Sequence, residues 1–120
     1  MPHITSFVLL KSVHPRYFSI GLQGHCVGAA ACAQLDALLG EAHATHAAEI
    51  WLDCEQLADV DTQGLRMVFS WFRKLHADGS ALHVCGLCPA VRARVENCGL
   101  AAVLPLLPAD AFRGPRPLLR

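Results

Sequence analysis

The sequence contains no run of about 20 apolar residues, the length that a helical membrane span requires, so no membrane span is expected. Its start, Met1-Pro2-His3-Ile4-Thr5-Ser6, has no basic segment leading into a long apolar one. A signal peptide is therefore not expected, and the protein reads as cytoplasmic. Charge of one sign is also lacking: ten Lys and Arg against ten Asp and Glu leave a formal net charge of zero. Without a global field, nucleic acid and anionic membranes are weak partner classes. There is no internal repeat, no low-complexity segment and no Gly-rich phosphate loop. No Ser/His/Asp arrangement is legible from spacing. Asp61 could in principle act as a base, but nothing marks a substrate pocket. These absences make an enzyme the weaker class, and they imply no cofactor.

What is there is enough for one packed domain. The chain has 120 residues, of which 53% are apolar, and this excludes a disordered polar segment. In a cytoplasmic protein the six cysteines are expected to be free thiols. Residues 5–11 read as a strand and 17–23 as a second. The turn over 12–16, broken by Pro15, makes them an antiparallel hairpin. After a loop over 24–28, residues 29–44 form a helix, with Ala31, Leu35, Leu38, Leu39 and Ala42 at helical spacing. Residues 49–53 are a third strand and 62–78 a second helix. Leu65, Val68, Phe69, Phe72 and Leu75 make its apolar stripe, and Gly79 its stop.

Residues 81–85 are a fourth strand. Pro89 begins a third helix, with Val91, Val95 and Cys98 on one face and Gly99 at its end. Residues 103–107 read as a last short strand or edge. The expected fold class is α/β: a mixed sheet with a leading antiparallel hairpin, then parallel βαβ units. The single domain is expected over 1–107. The tail, 108–120, is either a short helix or loose.

Chemistry concentrates between the third strand and the second helix. Positions 53–61 carry Asp53, Glu55, Asp59 and Asp61 and no Lys or Arg, which reads as an acidic loop. Thr62 follows at the helix start. Loops after the carboxyl ends of parallel strands are where ligands and partners bind. A hydroxyl at a helix N-terminus is also a place where a phosphate is held well.

Strand Ile50-Trp51-Leu52-Asp53, then Val60-Asp61-Thr62-Gln63-Gly64-Leu65, then Asp78 to Gly86, Pro89-Ala90-Val91-Arg92 and Cys98-Gly99-Leu100, together resemble the STAS domain family. These are the anti-sigma factor antagonists and their relatives. The similarity runs from about residue 17 to 104, and its most specific part is Asp61 to Leu65. The resemblance implies a mixed sheet with helices packed mainly on one face. It also implies that Thr62 is phosphorylated by an anti-sigma serine/threonine kinase, that the unmodified form binds that kinase, and that a phosphatase resets it. Thr stands where Ser is more usual, and Gln63 where a smaller residue is usual. Thr at this position is also similar to the small STAS subunit of a bacterial lipid-transport ABC complex, which binds the ATPase. A homodimer stays open as an assembly.

A phosphate adds about −1.5 to −2 charge near neutral pH, here beside Asp59 and Asp61. The candidate partner surface is Asp59, Asp61, Thr62, Gln63, Gly64, Met67 and Trp71. Each feature also has a plainer reading. Asp61 and Thr62 cap the helix. Met67 and Trp71 either meet a partner or make a second packing contact within the domain. Cys85-Gly86-Leu87-Cys88 has the placement of a thiol redox site, which makes a small thiol-dependent enzyme the third reading. No second CxxC completes a zinc site, however, and Cys85 also fits a strand-end core position. His43 and His46 could share a metal only with a third ligand that is not evident, and Mg²⁺ on the acidic segment ranks low. No metal is expected.

Overall fold

The structure, a computed structural model, describes residues 6–112. Thr5 of the expected first strand and the tail from 113 lie outside the described residues. Strands β1 (Phe7–Val13) and β2 (Tyr17–Cys26) form the antiparallel hairpin. Helix α1 (Ala29–Ala44) leads to β3 (Glu49–Val60) and helix α2 (Thr62–Ala77) to β4 (Ala81–Cys85). Helix α3 (Pro89–Asn97), with Pro89 in its first turn, leads through a 3-10 turn (Leu100–Ala102) to β5 (Leu106–Leu107). A second 3-10 turn (Ala109–Ala111) follows, at the start of the expected tail.

The sheet order is β1-β2-β3-β4-β5, with every pairing after the first hairpin parallel. Each crossover steps the sheet in the same direction. Since such crossovers are right-handed, all three helices fall on one face. The core shows this: Leu35 and Leu39 of α1, Leu65, Val68 and Leu75 of α2, and Val91 and Val95 of α3 pack on Phe18, Ile20, Leu22, Ile50, Leu52, Leu82 and Val84. These strand residues alternate along their strands, as one face of a pleated sheet requires. The opposite face carries Ser19, Trp51, Asp53 and His83, with the Trp51 indole stacked on the His83 ring at 4.1 Å between centroids.

Two expectations are corrected. The segment 54–60 is not an acidic loop: β3 runs twelve residues, to Val60. Likewise the expected loop over 24–28 is strand as far as Cys26. The two extensions pair with each other, Gln23 with Gln56 and Cys26 with Val60, beyond the point where β4 ends opposite Asp53. Register shifts after Gly21 and Gly24 interrupt the period of two, so Cys54, Leu57 and Val60 are buried at intervals of three. Gly24 permits this path. It sits at φ +93°, and a Cβ there would lie 2.1 Å from the Ser6 carbonyl oxygen. In α2, Leu65, Val68 and Leu75 are buried, but Phe69 and Phe72 are only half-buried at the flank of the stripe, 6.4 Å apart.

Candidate functional site

The long β3 carries the chain past the end of β4 and delivers Asp61 and Thr62 to the rim of the domain. Asp61 is the N-cap of α2, in extended conformation. Its Oδ1 accepts the Gly64 N–H at 2.9 Å, and its Oδ2 accepts the Gly28 N–H at 2.8 Å. Its own N–H donates to the Cys26 carbonyl at 3.2 Å. The hydrogen bonds from Gly28 and then Gly64 hold its carboxyl below the usual carboxylate range, with a smaller pull from Arg94. Asp61 therefore does cap the helix, and it also fastens the β2–α1 junction to the α2 start.

Gly64 is buried directly beneath. A Cβ there would lie 3.0 Å from Val60 Cγ2, 3.3 Å from Asp61 Oδ1 and 3.5 Å from Cys26 Sγ. The Asp-Thr-x-Gly spacing thus has a packing reason: a side chain at the fourth position would press on Val60 and Asp61 where the turn closes. Thr62, the first residue of α2, and Gln63 are exposed. No hydrogen bond holds the Thr62 hydroxyl among the described residues.

Thr62 lines one end of a groove of about 360 Å³ whose other walls are Leu65, Arg66, Phe69, Cys98 and Leu100. The groove joins the start of α2 to the end of α3. Asp59 stands at the same rim, where its carboxylate meets Arg94 of α3 at 3.0 Å. Arg94 and Arg66 were not among the residues expected at this site. Arg94 is 35 positions from Asp59, and no local pattern announces the pairing. Arg66 follows Thr62 by one helical turn, and that spacing was available in the sequence.

The four carboxylates do not form one cluster. Asp53 is buried on the helix-free face, and its Oδ1 accepts the Glu55 N–H at 3.2 Å. Only Asp59 and Asp61 adjoin Thr62. Met67 is half-buried against the core. Trp71 is also half-buried, with its indole N–H donating to Asp36 of α1 at 2.6 Å and the Lys74 ammonium 4.5 Å from its ring centre. It makes the helix–helix packing contact that was one of its two readings.

The thiols and histidines lead elsewhere. Cys85 is fully buried, and the Cys88 thiol faces the Leu57 carbonyl at 3.7 Å. Burial pushes the Cys26 thiol up to about 11 and the Cys54 thiol far above its usual range. His43 Nε2 meets the Asp78 carboxylate at 2.6 Å. Among the described residues no three His, Cys, Asp or Glu side chains gather as a metal site would need.

A family model described as "Mlab, STAS domain" matches residues 19–108. No curated protein sequence matches the chain. Among solved structures, the anti-sigma factor antagonist SpoIIAA in its unphosphorylated form has a TM-score of 0.70 at 24% identity, over 84% of this chain and 87% of that one. An anti-sigma factor antagonist from Mycobacterium paratuberculosis has a TM-score of 0.75 at 20% identity, over 85% and 86%. The Bacillus cell fate determinant SpoIIAA in the phosphorylated form has a TM-score of 0.64 at 22% identity, over 84% and 90%. At these identities the likeness is one of fold.

Proposed function

The chain belongs to the STAS domain family, and on that premise we propose that it is a regulatory protein-binding domain of the anti-sigma factor antagonist type, switched by phosphorylation of Thr62. One observation carries the reading. Asp61 is fully engaged by two backbone N–H groups, while the Thr62 hydroxyl beside it is exposed and unengaged among the described residues. The capped turn presents the hydroxyl beside a groove that Thr62 itself lines. An anti-sigma serine/threonine kinase would transfer the terminal phosphoryl group of ATP to Thr62 Oγ1, with ADP as leaving group and the hydroxyl proton lost. A phosphatase would reverse the mark by hydrolysis. SpoIIAA, which shares the fold, is known in both forms. The partner surface is then the rim of Asp59, Thr62 and Gln63 with the adjoining groove. The protein acts by binding, not catalysis, in the cytoplasm. Among the described residues no helix is long and apolar enough to cross a membrane.

A second reading follows the other resemblance of the sequence, an accessory STAS subunit docked on the ATPase of an ABC lipid transporter; the matched family model is itself a STAS domain described as Mlab. One capture experiment separates the two. Tagged wild type, Thr62→Ala and Thr62→Glu are used as baits in native lysate, and the retained proteins are identified by mass spectrometry. The switch reading expects a kinase held by wild type and Thr62→Ala and lost by Thr62→Glu. An ABC ATPase held equally by all three baits overturns it in favour of the second reading.

A further inference from the structure

Thr62 and Arg66 lie one turn apart on α2 and line the same groove. Residues four apart on a helix are surface neighbours, and an acidic group placed N-terminal to a basic one is the better orientation for a pair. Arg66 is exposed, and no carboxylate pairs with it among the described residues. Its other helical neighbours at three and four positions, Gln63, Phe69 and Ser70, are not acidic. Arg94, the other arginine at this rim, is already engaged by Asp59 and also acts on Asp61, and His25 stands beside Asp59 in the β2–β3 register. A new dianion at Thr62 would thus meet two occupied carboxylates, one occupied guanidinium and one free guanidinium.

We propose that Arg66 is the intramolecular partner of a phosphate on Thr62, and that the mark is read largely through it. Unmodified, Arg66 offers a free positive charge on the wall of an otherwise apolar groove built from Leu65, Phe69 and Leu100. That combination suits a partner segment with an apolar side chain next to a carboxylate. Once Thr62 carries phosphate, the fork of the guanidinium has a nearer and more highly charged acceptor on its own helix. The groove then loses its cation and gains net negative charge, so the same partner segment is repelled. This inference rests on the reading of Thr62 as a phosphate acceptor.

The test uses the full chain with phosphothreonine installed at position 62 during translation, and it needs no binding partner. Phosphorus NMR follows the second ionisation of the phosphate in wild type, Arg66→Gln, Arg66→Lys and Arg94→Gln. A nearby cation favours the dianion, so ionisation in wild type should occur at a pH lower than in Arg66→Gln by about 0.3 or more. Arg66→Lys should recover part of that difference, and 1 M salt should shrink it. In wild type, the Arg66 Nε–H proton resonance should move with the same midpoint. Equal midpoints in wild type and Arg66→Gln overturn the pairing, as does a larger effect of Arg94→Gln. Either result would leave the Thr62 switch itself standing, because that switch is judged by partner capture.

Discussion

Asp61 and Gly28 meet across 33 positions of sequence: the Gly28 N–H donates to Asp61 Oδ2 at 2.8 Å. The other oxygen accepts the Gly64 N–H. One side chain therefore ties two helix starts together, directly beside the candidate acceptor Thr62.

Removing that carboxylate should loosen both ends at once. Asp61→Ala loses an N-cap, at about 0.5–2 kcal/mol, and leaves the Gly28 N–H without its acceptor. The wild type should also show a pH signature. The folded carboxyl is held below its ordinary value, so its contribution is complete above that value, near pH 3.8, and fades as the pH falls through the lower folded value. Urea melts between pH 2 and 6 check this. Asp61→Asn should lack that part of the acid-side loss, and a parallel pH profile for both proteins would contradict it.

Gly64→Ala tests whether the motif glycine is there for packing. Alanine favours a helix over glycine by up to about 1 kcal/mol, so on an open helix the change would stabilise. Here the new methyl meets Val60 and the Asp61 carboxylate at 3.0 and 3.3 Å. Val60 is buried and stiff at its β-branch, and Asp61 is held by two hydrogen bonds. Neither can yield cheaply, so a net loss of about 1–3 kcal/mol is expected. A rise in melting temperature would show that the turn has slack.

Thiol reactivity separates a binding domain from a thiol enzyme. Cys98 is exposed, whereas Cys26, Cys32, Cys54 and Cys85 are buried. A disulfide-exchange reagent on the native protein should label Cys98 first and leave those four until unfolding, since the thiolate is the reacting form and burial suppresses it. Rapid labelling of Cys85 would revive the redox reading.

Much of this was legible in the sequence, and the exceptions have physical causes. Helix α1 and strand β4 are found at the expected bounds because local signals agree: Gly28 before a 3.6-residue apolar period, and Gly79 before a short β-rich run. The segment 54–60 misleads because Asp and Glu disfavour strands, and only tertiary pairing with β2 across two register shifts overrides that preference. The Asp-Thr-x-Gly-Leu signature places Thr62 correctly at the start of α2. It says nothing of Arg94, which α3 brings to Asp59 from a distant part of the chain.

The switch makes the most exacting prediction. Thr62→Ala keeps the rim uncharged and removes the acceptor, so it should bind the cognate partner as wild type does and escape control. Thr62→Glu places one negative charge beside Asp59 and Asp61. If that charge draws Arg66 away from a partner carboxylate buried in the contact, affinity should fall by about 2–5 kcal/mol. Folding is the control. An acidic group in the first turn of a helix is mildly favourable, so both variants should melt within about 0.5 kcal/mol of wild type in stability. Arg66 sharpens the expectation, since glutamate brings a single charge where phosphate brings nearly two. Thr62→Glu should therefore weaken binding less than phosphothreonine at the same position, and in Arg66→Gln the two should differ less. Calorimetric titration of the partner into the unmodified, phosphorylated and substituted forms measures this order. Equal affinity for wild type and Thr62→Glu, with both folded, would remove charge as the basis of control.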